Sequence, residues 1–99
     1  MPTVIVRYQA KPDRAEENQE LIEAVFADLE RLKPAGFTYQ VLRLEDDVSF
    51  VHVVVEHEGV DDPGSLQEVP AFQAFVADIA DRCDVPPLAM AATVVGRYR

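Results

Sequence analysis

The chain has 99 residues, of which 48% are hydrophobic, and a formal net charge of −9 at pH 7. One domain of this size can bury a substantial core, and its hydrophobic content is too high for a disordered segment. The negative charge argues against nucleic acid or an anionic membrane as the partner, because both favour a basic protein surface.

The sequence also lacks the patterns of export and of membrane insertion. No apolar run approaches the roughly 20 residues that span a bilayer. The first residues lack a basic segment followed by a long apolar one. The single cysteine, Cys83, has no partner for an internal disulfide. We therefore expect a cytoplasmic protein.

The first part of the chain has a strand pattern followed by a helix pattern. Residues Thr3 to Gln9 are mostly β-branched or aromatic, which favours a strand. From Arg14 to Lys33 the apolar residues fall within an arc of about 140° on a helical wheel, which predicts an amphipathic helix. This apolar stripe consists of Leu21, Ile22, Val25, Phe26, Leu29 and Leu32.

Residues Phe37 to His57 predict two strands joined by an acidic turn at Asp46 and Asp47. The same cross-strand pairs result from a two-residue and from a four-residue loop. These pairs are Arg43 with Phe50, Val41 with His52, and Tyr39 with Val54. One hairpin face then carries Thr38, Gln40, Leu42, Leu44, Val51, Val53 and Val55. The other carries Phe37, Tyr39, Val41, Arg43, Phe50, His52, Val54 and Glu56.

The rest of the chain predicts a second helix and a last strand. We expect a short helical turn at Ser65 to Val69 and then a helix that begins at Pro70. Pro86 and Pro87 are expected to end this helix, and the last strand is predicted over Leu88 to Arg99. The apolar face of the helix consists of Phe72, Phe75, Val76, Ile79, Ala80 and Cys83.

The order β-α-β-β-α-β predicts an α+β, ferredoxin-like fold with a four-stranded antiparallel sheet and two helices on one face. Both faces of the hairpin carry apolar residues, yet two helices can cover only one of them. The uncovered face needs a partner, and a second copy is the simplest one. We therefore expect a homodimer with the two sheets packed face to face. The pattern leaves open which hairpin face meets the helices.

The chain resembles the dimeric α/β-barrel proteins, and among them the antibiotic-biosynthesis-monooxygenase-like (ABM-like) family. The resemblance depends on the order of elements, on Gly36 with Tyr39 at the second strand, on the third strand FVHVVVEHE, and on the segment VPAFQAF at Val69 to Phe75. It covers nearly the whole chain and implies a single ABM-like domain over residues 1–99.

The resemblance implies several functions. They are a cofactor-independent monooxygenase acting on a small aromatic or polyketide-type substrate, a small isomerase, and a non-catalytic ligand-binding or stress-related protein. Haem-degrading relatives use an axial histidine on the second helix, and Pro70 to Asp84 contains none, so haem is not expected. The polyketide monooxygenases often place a tryptophan in the pocket, and this chain has none.

Tyr39, Arg43 and His52 form the candidate catalytic set because they project from one hairpin face. A neutral imidazole at His52 can take a proton from a phenol, Arg43 can stabilise the phenolate, and Tyr39 can form a hydrogen-bonding wall. An electron-rich phenolate can itself reduce dioxygen, so we expect neither a cofactor nor a metal. The candidate substrate-binding residues are Phe50, Phe72, Phe75 and Glu56.

The same residues also allow a structural interpretation. Arg43 and Glu56 can form ion pairs between two sheets, and His52 can be a structural histidine with satisfied hydrogen bonds. Tyr8 and Tyr98 are expected at an interface or at its rim. The sequence therefore leaves open whether the protein is an enzyme.

Overall fold

The computed structural model describes residues 3–57 and 66–98. Within these residues the elements follow the predicted order β-α-β-β-α-β, with the second helical segment divided in two. They are β1 (Thr3–Ala10), α1 (Ala15–Leu32), β2 (Phe37–Arg43), β3 (Ser49–Glu56), α2 (Pro70–Ala77), α3 (Ile79–Arg82) and β4 (Cys83–Ala92). A short 3-10 turn at Leu66–Glu68 precedes α2. The predicted start of that turn, Ser65, lies outside the described residues.

The four strands form one antiparallel sheet in the order β2-β3-β1-β4. The hairpin register matches the prediction, because Arg43 lies opposite Phe50 and Val41 lies opposite His52. The central strand β1 continues the same rows, with Tyr8 opposite Phe50 and Val6 opposite His52. The predicted α+β, ferredoxin-like fold is therefore confirmed.

Five residues, 44–48, join β2 to β3. The Leu44 N–H donates to the Ser49 carbonyl oxygen at 2.9 Å and closes the loop. The Asp46 carboxylate accepts hydrogen bonds from the backbone N–H groups of Val48 at 3.0 Å and Ser49 at 2.8 Å. An acidic side chain thus satisfies the loop's own backbone donors, which explains why the turn is acidic.

The predicted stripe of α1 faces the core except at Leu32, which is 46% exposed. Ile22 and Val25 are buried, and Leu21, Phe26 and Leu29 pack partly buried against them. Beyond the last helical residue, Lys33 adopts a left-handed conformation, and its N–H donates to the Leu29 carbonyl at 2.8 Å. Within residues 3–57 and 66–98, no helix combines the length and hydropathy that crossing a bilayer would require.

The predicted boundaries of the last strand were wrong. The strand begins at Cys83 rather than Leu88 and continues through Pro86 and Pro87, which were expected to lie before it. β4 is an edge strand, where proline is tolerated because it need not donate to a neighbour, and its pairing with β1 shifts register near these prolines. It ends at Ala92, opposite Thr3 at the start of β1, whereas its predicted end, Arg99, lies outside the described residues.

The helices cover the sheet face that carries Tyr39, Phe50 and His52, which we call the covered face. This placement decides the question that the hairpin pattern left open. The opposite face, which we call the open face, exposes large apolar side chains among the described residues. They include Leu42, Leu88 and Met90, which are 43%, 52% and 56% exposed.

Candidate functional site

A cavity of about 460 Å³ lies between the covered face and the second helical segment. Apolar side chains form much of its wall, including Val4, Val6, Phe37, Val54, Phe72, Phe75, Val76 and Ile79. Tyr8, Tyr39 and His52 contribute polar atoms from the sheet. Glu56 and His57, both exposed to solvent, also border the cavity. Such an apolar cavity with a few converging polar groups is typical of a small-molecule site.

A carboxylate on α1 fixes the start of α2 beside this cavity. Pro70 stands in the first position of α2 and has no N–H of its own. The next N–H, that of Ala71, donates to Asp28 Oδ2 at 3.0 Å. This cap orients the first two turns of the helix, so that Phe72 and Phe75 reach the cavity.

The two phenylalanines complete an aromatic wall around the polar groups. The Phe75 ring lies 5.3 Å from the ring of His52, and the Phe72 ring meets Tyr39 edge-on at 6.4 Å. Phe26 of α1 stacks on the other side of Tyr39 at 5.1 Å. Aromatic side chains therefore hold the imidazole and the phenol in place from several directions.

His52 is buried, with only 4% of its surface exposed, and both of its ring nitrogens have tyrosine partners. Tyr8 Oη lies 2.8 Å from Nε2, and Tyr39 Oη lies 2.8 Å from Nδ1. Burial lowers the pKa of His52 from 6.5 to about 4, because the imidazolium would be poorly solvated there. The imidazole is therefore neutral at pH 7.

The two tyrosines remain protonated at the same pH. Burial raises the pKa of Tyr39 above its ordinary value, and the nearby Tyr8 hydroxyl adds to this shift. Burial also raises the pKa of Tyr8, although the hydrogen bond from Asn18 acts in the opposite direction. The site thus contains three neutral groups whose protons can be shared along hydrogen bonds but are not readily released.

The hydrogen-bonded group extends to two residues that the sequence analysis missed. Asn18 Nδ2 donates to Tyr8 Oη at 2.9 Å, and Arg82 Nε donates to Asn18 Oδ1 at 3.1 Å. Arg82 also donates to the Phe75 carbonyl at 2.6 Å. A positive charge is therefore buried behind the site.

Tyr8 is a third residue of the site that was not predicted there. Asn18 and Tyr8 both had a signal in the sequence. Asn18 precedes Ile22 by four residues and Val25 by seven, so it continues the apolar stripe of α1 as a polar member. Tyr8, expected at an interface or rim, is instead buried under the helices. Its position opposite Phe50 on β1 places it on the covered face. The sequence held no comparable signal for the burial of Arg82.

Among the predicted site residues, Tyr39, His52, Phe72, Phe75 and Glu56 all border the cavity. The structure brings these five together.

Arg43 and Phe50, also predicted as site residues, do not border that cavity. The Arg43 guanidinium lies 2.6 Å from Gln19 Oε1 and 2.9 Å from a Glu16 carboxylate oxygen, and it donates twice to the Asp47 carbonyl. Phe50 is buried beneath Tyr8, whose ring it stacks on at 5.5 Å. Arg43 therefore links α1 to the hairpin loop, and Phe50 supports the floor of the site.

The part of the chain that the structure describes contains no group of three His, Cys, Asp or Glu residues placed to hold a metal ion. Besides Tyr8, Tyr39 and His52, the exposed residues at the edge of the cavity also present polar atoms to it.

No family model matches this chain. No curated protein matches it either. Any relationship must therefore be sought in the fold.

Solved structures with the same fold do exist. Rv0793 from Mycobacterium tuberculosis aligns with a TM-score of 0.73 at 15% identity, over 99% of this chain and 98% of its own. An antibiotic biosynthesis monooxygenase aligns with a TM-score of 0.70 at 17% identity, over 97% of this chain and 100% of its own. The chain has an ABM-like fold.

One structure with this ABM-like fold is that of SnoaB from Streptomyces nogalater, a cofactor-independent oxygenase. It aligns with a TM-score of 0.64 at 18% identity, over 97% of this chain and 94% of its own. At such identities the comparison concerns the fold alone, because one fold can host many activities.

Proposed function

We propose that the protein is a cofactor-independent monooxygenase that oxidises a small aromatic or polyketide-type substrate in the cavity of the covered face. The observation that carries this proposal is the aromatic cavity of about 460 Å³ with the Tyr39–His52–Tyr8 group at its wall. The volume suits a ligand of a few fused rings. The activity of SnoaB, on the same fold, supports the reaction type.

The chemistry requires no reductant beyond the substrate. An activated methylene group that is conjugated through an aromatic ring to a carbonyl, as in anthrone, loses a proton to water at the exposed edge of the cavity and gives an enolate. The enolate transfers an electron to dioxygen, and the two radicals combine to a peroxide. Loss of water from the peroxide leaves a carbonyl group. One oxygen atom thus replaces two hydrogens of the substrate, and the other oxygen leaves with both hydrogens as water.

We assign the contact with the substrate oxygen to Tyr39 and the support of Tyr39 to His52. His52 was predicted as the base, but an imidazole with a pKa of about 4 and a tyrosine on each nitrogen is a weak proton acceptor. Phe72 and Phe75 would hold the rings of the substrate. Glu56 borders the cavity where protons can exchange with solvent.

Oxygen uptake with anthrone or a hydroquinone tests this function. We expect Tyr39→Phe to lower the rate about 100-fold, as the loss of one donor to a developing oxyanion does in other enzymes. His52→Ala should lower the rate as well. Tyr98→Phe is a matched control, because Tyr98 is 98% exposed, and it should keep the wild-type rate. Equal rates in all four proteins, or none above buffer, would remove the proposed site.

A non-catalytic ligand-binding protein is the second candidate. It is favoured by the hydrogen bonds that already occupy both nitrogens of His52, since these fit a structural histidine as well as an active one. Saturable binding of anthrone with no oxygen uptake and no product would identify this function. Product formed without oxygen consumption would instead identify an isomerase.

We further propose that the open face is covered by a second copy of the chain. Exposed Leu42 and Leu88 lie in one row across the sheet with Val51 and the exposed Arg7. Met90 lies in the neighbouring row with Val53 and Ile5. A self-complementary apolar face is typical of a two-fold dimer. Light scattering at micromolar concentration should give about twice the chain mass of 11.0 kDa, and a monomer mass would contradict this assembly.

The proposal includes a cytoplasmic location. Cys83 is a free thiol, which is compatible with the reducing cytoplasm. The proposed reaction needs only dissolved oxygen beside its substrate, and this is also present there. Fractionation of the source cells would test it, and recovery of the protein with an exported or membrane fraction would contradict it.

A further inference from the structure

Behind the cavity, four buried polar side chains form a hydrogen-bond chain that ends at Tyr39. Arg82, Asn18, Tyr8 and His52 are each at most 4% exposed. The chain runs from Arg82 Nε to Asn18 at 3.1 Å, from Asn18 to Tyr8 at 2.9 Å, and from Tyr8 to His52 at 2.8 Å. It continues from His52 to Tyr39 at 2.8 Å. Tyr39 borders the cavity.

The guanidinium of Arg82, at the inner end, decides which partner donates in each hydrogen bond of this series. A guanidinium has only donors, so the amide oxygen of Asn18 must face Arg82. The amide NH₂ group therefore faces Tyr8, and Tyr8 Oη must accept from it. The orientation of Asn18 thus follows from the chemistry of its neighbours.

The same donor–acceptor order fixes the tautomer of His52. Having accepted from Asn18, Tyr8 must place its own proton on an acceptor, and His52 Nε2 is its other hydrogen-bonding partner among the described residues. Nε2 must therefore lack a proton, which puts the proton of the neutral imidazole on Nδ1. Nδ1–H donates to Tyr39 Oη.

The opposite direction would leave a buried proton without an acceptor. If Nε2 carried the hydrogen, Tyr8 Oη would accept from both His52 and Asn18, and no other described residue would accept the Tyr8 hydroxyl proton. The Tyr8 ring itself packs against the rings of Phe50 and Phe75. An unsatisfied donor in such surroundings is strongly disfavoured.

We propose that Arg82 and Asn18 are positioning residues that direct the hydrogen-bond chain outward, so that the Tyr39 hydroxyl is a donor to the cavity. His52 is the only hydrogen-bonding partner of Tyr39 Oη among the residues that the structure describes, and it occupies that oxygen as a donor. The Tyr39 proton therefore remains for a ligand. The site recognises an oxygen acceptor, either a carbonyl or an oxyanion, on an otherwise apolar ring system.

This inference deepens the proposed function but its first test does not depend on it. A donor already oriented by buried neighbours stabilises negative charge as it develops on a substrate carbonyl, which is what an enolate-forming oxidation needs. It also replaces Arg43 as the candidate stabiliser of an anion. The direction of the chain itself can be measured in the absence of substrate and oxygen.

The first measurement is the tautomer of His52 in the full, unliganded protein, read by long-range ¹H–¹⁵N NMR at pH 7. We expect Nδ1 protonated and Nε2 unprotonated. Protonation at Nε2, or at both nitrogens, would overturn the inference. This test needs no variant, so a failure to fold cannot confuse it.

The second measurement uses Asn18→Asp, which should reverse the donor–acceptor order of the hydrogen bonds. A carboxylate has no donor for Tyr8, so the Tyr8 hydroxyl should donate to it, Nε2 should become protonated, and Tyr39 should donate to Nδ1 instead of to the cavity. Affinity for 4-nitrophenolate, measured by its absorbance at a pH where it is ionised, should fall at least about tenfold. An unchanged tautomer with unchanged affinity would exclude a positioning role for Asn18.

The matched control is Gln19→Glu, which adds the same charge one residue along α1. Gln19 contacts Arg43 and Glu23 rather than the hydrogen-bond chain, so this variant should keep the Nδ1–H tautomer and the affinity. An equal loss in the control would mean that charge alone weakens binding, against the inference.

If Asn18→Asp does not fold, Tyr8→Phe replaces it. Without the Tyr8 hydroxyl, Nε2 loses its donor, and both the tautomer preference and the affinity for 4-nitrophenolate should weaken. Wild-type behaviour in Tyr8→Phe would overturn the inference. If the expected tautomer and binding are found but no oxygen is consumed, the inference about Tyr39 as a donor is supported and the monooxygenase function is contradicted.

Discussion

The two faces of the sheet differ in a way that their composition does not suggest. The open face carries mainly aliphatic side chains and leaves Leu42, Leu88 and Met90 largely exposed, whereas the covered face carries tyrosine and histidine at its centre and lies under the helices. The covered face can be buried because its polar groups satisfy one another. Among the described residues, no buried side-chain nitrogen or oxygen lacks a hydrogen-bond partner.

This difference separates two tasks within one sheet. A buried and fully hydrogen-bonded face holds reactive groups in fixed positions and shields them from water. A mainly aliphatic face, in which Arg7 and Gln40 are polar members, can instead be covered by a complementary surface, including its own copy. The site and the proposed interface therefore use opposite sides of the same strands.

The largest effect is expected when the floor of the covered face is removed. Phe50 is 1% exposed and stacks beneath Tyr8, so Phe50→Ala should lower the free energy of unfolding by about 3–5 kcal/mol. Phe50→Leu, which retains most of the volume, should cost roughly 1.5 kcal/mol or less. Urea unfolding measures both. A loss below about 1 kcal/mol for Phe50→Ala would show that this face is not the core.

A smaller effect should follow from protonating His52. Its pKa is about 4 in the folded protein and 6.5 when unfolded, so between these values the unfolded chain binds the extra proton. The stability that His52 contributes is complete above pH 6.5 and is lost as the pH falls towards 4. The loss amounts to about 2 kcal/mol between pH 7 and pH 5.

Comparing the wild type with His52→Gln isolates this contribution, since glutamine does not titrate. The carboxyl groups with lowered pKa, Glu17, Asp28 and Asp46, lose their contributions mainly as the pH falls below their ordinary values of 4.5, 3.8 and 3.8. Urea unfolding at pH 7 and pH 5 should show the smaller drop in the variant. The same drop in both proteins would mean that His52 is not buried in its neutral form.

The element order, the hairpin register and the division into two faces could all be predicted from sequence, because alternation along a strand is a local property. The face that the helices cover could not, since both faces are apolar enough to be buried. The start of β4 was also missed. Pro86 and Pro87 look like a boundary unless it is known that the strand lies at an edge.

The candidate site was partly predictable for a related reason. Alternation placed Tyr39, His52 and Arg43 on one face, but it says nothing of distance along the strand. Arg43 lies four residues beyond Tyr39, about 13 Å along β2. It therefore reaches the hairpin loop and α1 instead of the cavity. The buried arginine of the site, Arg82, comes from a helix distant in sequence, and only the tertiary fold brings it behind Tyr8.

The smallest effect on folding is expected on the open face. Val53→Asp should convert the proposed dimer to a monomer, because a carboxylate loses its hydration when it is buried between two mainly aliphatic sheet faces. In the separated chain the aspartate is solvated, so the free energy of unfolding of the monomer should change by about 1 kcal/mol or less. Light scattering and urea unfolding at low concentration check both parts. Loss of the fold would contradict the assignment of Val53 to the open face.

Neighbouring valines on β3 provide the most direct test of the central claim, that ligands bind on the covered face. Val54 borders the cavity, whereas Val53 points to the open face. In a methyl-labelled protein titrated with 4-nitrophenolate, the resonances of Val54 and Val6 should shift saturably, and those of Val53 should not. Saturable shifts confined to Val53 and the open face, with Val54 unchanged, would contradict the account.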